Sequence, residues 1–167
     1  LPSVAIEPLP RVLVDYRQRY PGIEISLRDG RAGEIRQWVS NAEVDFAITS
    51  VTDEPGVLDF QPLYDDSLVL LVRGLSRLCG KKLLAALQDL DYVATTRDTS
   101  LRTMADETLA RMGLLREPAF EVAYMSSAAA LARAGLGYAL LPASVADTFN
   151  ADGSLAVHPL PKAPARG

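Results

Sequence analysis

The stretch Ser126-Ser-Ala-Ala-Ala-Leu-Ala-Arg-Ala-Gly-Leu-Gly-Tyr-Ala-Leu-Leu-Pro142 holds a helix and a strand back to back. Its first half reads as an alanine-rich helix, Ala128–Ala134, opened by the capping residues Ser126 and Ser127. Gly135 closes it by the left-handed conformation that glycine adopts without strain. Gly137–Leu141 is then a short apolar strand, and Pro142 opens a further short helix running to about Thr148. Gly135-Leu-Gly137 invites comparison with a dinucleotide-binding fingerprint. That fingerprint follows a strand and opens a helix, whereas this pair closes a helix and opens a strand. The position of the third glycine holds Leu140.

Working outward, the same alternation recurs. Tyr92–Thr95 reads as a strand, Thr96–Ser100 as capping residues, and Leu101–Met112 as a helix. Leu101, Met104, Ala105, Leu109 and Met112 share one face of that helix, which ends at Gly113. Phe120–Ala123 and Ser67–Val72 are strands, Arg73–Lys82 a polar link, Leu83–Leu87 a short helix, and Leu155–Leu160 a last strand before a loose tail, Pro161–Gly167. Upstream, Pro10–Tyr20 carries Leu9, Val12, Leu13, Tyr16 and Tyr20 at helical spacing and stops at Pro21-Gly22. Ile23–Leu27 alternates as a strand, Asp29–Gly33 turns, Glu34–Asn41 is helical, Val44–Thr49 is a buried strand, Ser50–Gly56 a loop, and Leu58–Leu63 another strand. Two βα series follow, one before residue 70 and one after it, so the expected class is α/β with parallel strands and crossover helices.

Composition narrows the function. Of 167 residues 49% are hydrophobic, enough for a packed core. The formal net charge of −4 argues against a phosphate-gripping basic face on this chain. The single cysteine, Cys79, rules out an internal disulfide and favours an intracellular, cytoplasmic setting. No apolar run approaches the ~18–20 residues of a membrane span, so no membrane partner is expected. One histidine, His158, and one cysteine make a zinc site improbable, and no cofactor motif is present. His158 reads as an exposed or strand-edge residue, and no acid–base pair is evident, so the chain is not expected to be an enzyme. Asp65 and Asp66 read as solvated turn charges.

Three loops attract attention. Pro2-Ser3 precedes a helix, Thr49-Ser50 follows a strand, and Thr95-Thr96-Arg97 with Thr99-Ser100-Leu101-Arg102 links a strand to a helix. Ligands of open α/β sheets sit at such places, where helix N-termini offer N–H groups and a positive dipole end. Hydroxyls there suit a carboxylate, and Arg97 or Arg102 could add a bidentate contact. Helix capping is the alternative for each hydroxyl, and a solvent-facing side chain for Arg102.

Together these segments resemble the effector-binding domain of LysR-type transcriptional regulators. Leu9-Pro-Arg-Val-Leu13, Tyr16-Arg-Gln-Arg-Tyr-Pro-Gly22, Ile25–Gly30, Glu43-Val-Asp-Phe-Ala-Ile48, Phe60–Leu63, Leu68–Val72 and Ala134–Pro142 are similar to that family's motifs in order and spacing over residues 2–160. The resemblance implies two Rossmann-like lobes joined by two crossover strands, like a type 2 periplasmic binding protein. Lobe I would comprise 1–70 plus 145–167, and lobe II 71–144. A small-molecule effector, with a lean toward a small anion, would lie between them. Its contacts would come from Ser3, Gly30, Arg31, Ala32, Thr49 and Ser50 on lobe I, and from Thr96, Arg97, Met125 and Ser126 on lobe II. A homodimer would pair Leu9–Tyr20 with Met125–Ala134 of a second copy. The resemblance further implies a winged helix-turn-helix and linker helix before Leu1, the only route to DNA, a first strand just before Leu1 and a last helix after Gly167. A solute-binding component of a transport system would use the same fold and is the alternative.

Overall fold

The computed structural model describes residues 1–30, 32–50 and 58–160. It divides between Asp65 and Asp66 into two compact units.

The second unit is built on a five-stranded sheet. Its strands are β1 (Leu68–Arg73), β2 (Tyr92–Thr95), β3 (Phe120–Val122), β4 (Tyr138–Pro142) and β5 (Leu155–Pro159), in the order β3-β2-β4-β1-β5. Leu68–Val72 and Tyr138–Leu141 are continuous apolar runs in which every residue is buried. Such runs belong to strands covered on both faces. Successive side chains point to opposite faces, so each strand feeds two cores. Leu70, Val72, Tyr92, Ala94, Tyr138 and Leu140 pack with Leu83 and Leu87 of α4 (Gly80–Gln88) and with Ala105 and Leu109 of α5 (Ser100–Arg111). Leu71, Val93, Ala139 and Leu141 pack with Ala128, Ala129 and Ala132 of α6 (Met125–Arg133). Each fully buried leucine contributes about 2 kcal/mol of transfer free energy.

The sheet is mixed, where the sequence suggests parallel strands. β2 runs parallel to β3 and β4, but β1 is antiparallel to both β4 and β5. Apolar periodicity reports burial and is silent on strand direction. The β1–β5 ladder, with Leu71 opposite Val157, places β5 in the second unit. Two helix starts shift. Tyr124, extended at φ −122° and ψ 141°, is the N-cap of α6, so Ser126 and Ser127 lie inside its first turn. Helix α4 starts at Gly80, inside the expected polar link.

Asp66 is not a plain turn charge. Its carboxylate accepts the Ser144 N–H at 3.1 Å and the Ser144 hydroxyl at 2.5 Å, capping the start of α7 (Ala143–Phe149) from 78 residues away. The Ala143 N–H donates to the Ser67 carbonyl at 2.8 Å. Asp65 is exposed, as expected.

The first unit contains α1 (Pro2–Ile6), α2 (Pro8–Arg19) and α3 (Ala32–Ser40). The strands expected at Ile23–Leu27, Val44–Thr49 and Leu58–Leu63 are not formed. A strand needs a paired neighbour, and among the described residues no backbone hydrogen bond joins these segments to one another. Their apolar side chains stay largely in solvent, with Leu27 59% and Phe46 78% exposed. The expected loop Ser50–Gly56 lies outside the described residues beyond Ser50, as does the tail from Pro161. Among the described residues no helix is long and apolar enough to cross a membrane.

Two substitutions test this packing. A Cβ on Gly137, where φ is +152°, would lie 2.3 Å from the Asp91 carbonyl oxygen, which already accepts the Tyr138 N–H at 2.9 Å. Gly137→Ala should therefore lower unfolding free energy in urea by about 3 kcal/mol, combining backbone strain and overpacking. Asp66→Ala should cost about 1 kcal/mol through the lost cap. A neutral result in either case would mean that the contact is absent in solution.

Candidate functional site

Because β2 and β3 run parallel, their C-terminal ends and the loops that follow lie on one edge of the sheet. The Thr96 N–H donates to the Val122 carbonyl at 3.1 Å and binds the two loops together. The Thr96–Thr99 segment closes on itself. Thr99 donates its N–H, at 3.2 Å, and its hydroxyl, at 2.9 Å, to the Thr96 carbonyl. Thr99 Oγ1 also accepts the Arg102 N–H at 3.1 Å, which makes Thr99 the N-cap of α5. With the Thr99 proton committed, the Thr95 hydroxyl 3.1 Å away must be the donor to Thr99 Oγ1.

Thr96 Oγ1 is left out of this web. It is buried and has no hydrogen-bond partner. An unsatisfied buried hydroxyl costs ~1–3 kcal/mol, which an arriving acceptor or donor would recover. Helix α6 starts three residues after Val122, whose carbonyl Thr96 bonds; its N-cap Tyr124 accepts the Ser127 N–H through its carbonyl at 3.1 Å but supplies no side-chain acceptor to the first turn. Met125 opens that helix and packs, half-buried, on the alanine face of the sheet. Ser126, one residue on, is exposed. The structure thus brings Thr96 and Met125–Ser126 to one sheet edge.

The arginines part company. Arg97 is 66% exposed and pairs with Glu117 at 2.8 Å, a solvent-screened contact that an anion could replace at little cost. Arg102 neither faces solvent nor is free for a ligand. It is 3% exposed; Nε donates to Asp106 at 2.8 Å, and Nη1 to the Thr95 carbonyl at 3.0 Å and to Glu121 at 2.8 Å. Its stem lies on the inner face of α5, beside Ala105 and Leu109 in sequence register.

In the first unit, the Leu1 nitrogen donates to the Ile48 carbonyl at 3.1 Å, so α1 with Ser3 starts next to the Thr49-Ser50 segment. Ser3 is half-buried, and Thr49 Oγ1 and Ser50 Oγ are both buried without a partner. Gly30 lies against the sole tryptophan: a Cβ there would lie 2.5 Å from Trp38 Cη2. The Arg28 guanidinium stacks 4.0 Å over the Trp38 ring and donates to Glu43 at 2.8 Å, holding that carboxyl below the usual carboxylate range. Arg31 lies outside the described residues, and Ala32 is described only as the first residue of α3.

His158 sits on β5, an edge strand, with Nε2 buried and unpartnered; Cys79 is exposed. Tyr138 Oη is also buried and unpartnered, but lies in the core against the Tyr92 ring, 5.6 Å away, where burial pushes its pKa up. Among the described residues no cluster of metal-ligating side chains occurs. Sequence reasoning missed Tyr124 as the α6 cap and Glu121 as an Arg102 partner. A single aromatic and a single acid carry no periodic signal that would have marked them.

The family model of the LysR substrate binding domain matches residues 1–167. The chain belongs to this family. It is 24% identical over 134 residues to the uncharacterised HTH-type transcriptional regulator YvbU of Bacillus subtilis, covering 80% of this chain and 45% of that protein. It is 24% identical over 156 residues to the transcriptional activator protein LysR of Escherichia coli, covering 92% of this chain and 50% of that one. The chain thus spans about half the length of the curated relatives it matches. Among solved structures it resembles the CcmR regulatory domain of Synechocystis in complex with 2-PG, with a TM-score of 0.77 at 24% identity over 93% of this chain and 76% of that one. It also resembles a sulfate-bound variant of the OxyR2 regulatory domain of Vibrio vulnificus, with a TM-score of 0.79 at 15% identity over 97% of this chain and 78% of that one. The fold is the type 2 periplasmic-binding-protein-like α/β fold, and the chain is a LysR substrate binding domain.

The two threonines of the loop should respond oppositely to substitution. Thr96→Val removes a hydroxyl that has no partner and should leave the ligand-free protein as stable or up to about 1 kcal/mol more stable. Thr99→Ala removes the α5 cap and should cost about 1 kcal/mol. Chemical denaturation of both variants checks this; a marked loss in Thr96→Val would reveal a partner for Oγ1.

Proposed function

We propose that this domain senses a small anionic effector, held on the second unit by Thr96 Oγ1, Arg97 and the first-turn N–H groups of α6 at Met125 and Ser126. The observation that carries the reading is the orphaned Thr96 hydroxyl at the sheet edge where a helix without a side-chain cap begins. The dipole of that helix end favours negative charge there. On the first unit Ser3, Gly30, Arg31, Ala32, Thr49 and Ser50 are the proposed counterparts, and the buried unpartnered Thr49 Oγ1 and Ser50 Oγ support their choice. Sulfate on one structural relative and 2-PG on another favour an oxyanion or a carboxylate.

The regulatory step is a shift in population. An effector moves the balance between lobe arrangements only by its differential affinity for them, and tenfold corresponds to about 1.4 kcal/mol. In the whole protein this balance would set the geometry of a homodimer formed through α2 and α6, and hence of DNA-binding domains carried elsewhere in the protein. The setting is cytoplasmic, and the domain acts by binding rather than by catalysis, in keeping with relatives that are transcriptional regulators. Those relatives offer no support for a transport component.

Thermal melting with sulfate, phosphate and small carboxylates tests the reading. At least one should raise Tm in the wild type and none in Thr96→Ala/Arg97→Ala; saturation at one hundred times Kd stabilises by about 2.7 kcal/mol. Equal stabilisation of the double variant would move the site elsewhere.

A further inference from the structure

Arg102 is an unusual residue to find at 3% exposure on a helix of this kind. Burying a guanidinium is costly unless its charge and donors are met. Here they are met from three elements. Nε reaches Asp106 one turn along α5, and Nη1 reaches both the Thr95 carbonyl at the end of β2 and Glu121 on β3. Asp106 also accepts the Tyr92 hydroxyl at 3.3 Å, which links the cluster to the sheet interior. The backbone N–H of the same residue is the donor that Thr99 caps. Arg102 therefore holds the loop at both ends: Thr95 through its side chain, Thr99 through its main chain. Between those points lies Thr96, whose N–H bonds to β3 and whose hydroxyl is left without a partner. A loop held this way presents that hydroxyl in one place instead of letting it turn toward its own backbone, as threonine hydroxyls otherwise do.

We propose that Arg102 is a positioning residue for the effector site: it does not touch the effector, but fixes the Thr95–Thr99 loop so that Thr96 Oγ1 stays free and aimed at the ligand. This deepens the anion-site reading and rests on it. A binding constellation loses affinity when its supporting contacts are loosened, even with every contacting residue in place. Lysine at this position keeps the charge but cannot bond in the several directions that the planar guanidinium does.

The test combines amide exchange, which needs no ligand, with sulfate titration. In Arg102→Lys, exchange at Thr96 and Thr99 should speed up by about tenfold or more, while Leu71 and Leu140 in the β1–β4 ladder keep their protection. Sulfate affinity should fall by about tenfold, the equivalent of one lost charge-assisted hydrogen bond. Glu121→Gln, whose side chain is 42% exposed and so is compatible with folding, should show both effects more weakly. Gly137→Ala, destabilised but intact at this loop, should keep wild-type sulfate affinity when folded. Unchanged exchange at Thr96 and Thr99 in Arg102→Lys and Glu121→Gln overturns the positioning role. Faster exchange with unchanged sulfate affinity overturns its link to binding. Equal loss of affinity in Gly137→Ala would reduce Arg102 to general stability. A wild type that binds no sulfate defeats the anion reading itself and leaves Arg102 with loop order alone.

Discussion

The middle of the second unit is dry on both faces. β1 and β4 bury every residue of Leu68–Val72 and Tyr138–Leu141 between α4 and α5 on one side and α6 on the other. That constraint dictates what surrounds it. Both faces need a helix, so each parallel strand must be followed by one, and β2 is followed by α5 as β3 is by α6. The close face is lined by Ala128, Ala129 and Ala132, which let α6 approach the sheet. Gly137 is required where β4 starts against the Asp91 carbonyl. The helix N-termini of α5 and α6 then follow the C-terminal ends of the parallel strands, and the unpartnered Thr96 hydroxyl lies at that edge.

Much of the second unit was legible in the sequence because its signals are local. Tyr92–Thr95 is a four-residue apolar strand with helix caps directly after it, and Gly135 marks the end of α6 through a φ of +83°. What was not legible is nonlocal. Strand direction, the pairing of β5 with β1, and the capping of α7 by Asp66 depend on residues up to 90 positions apart, as Val69 and Pro159 are. The first unit shows the limit most clearly. Ile23–Leu27 and Val44–Thr49 have strand-like patterns but no ladder, since a pattern specifies which face is apolar and cannot supply a partner.

The candidate site divides in the same way. Thr96 and Arg97 stand out in the sequence from their place after a strand, Met125 and Ser126 only through the family resemblance, and the structure brings them to one edge. It could not tell capping hydroxyls from unpartnered ones: Thr99 proved to be the cap and Thr96 the orphan. Nor could it separate Arg97, held loosely by Glu117, from Arg102, locked by Asp106, Glu121 and Thr95. Both follow the same strand, and only their different directions from the helix start decide which is buried. The chemistry of the site follows from that division: one fixed cation behind the loop, one exchangeable cation in front, and a hydroxyl between.

The anion-binding account stands most directly on where an anion is felt. Backbone amide resonances recorded through a sulfate titration report this residue by residue. The account predicts saturable shifts concentrated at Thr96, Arg97, Met125 and Ser126. Shifts absent from those four amides, or spread without saturation over exposed lysines such as Lys81 and Lys82, would contradict it.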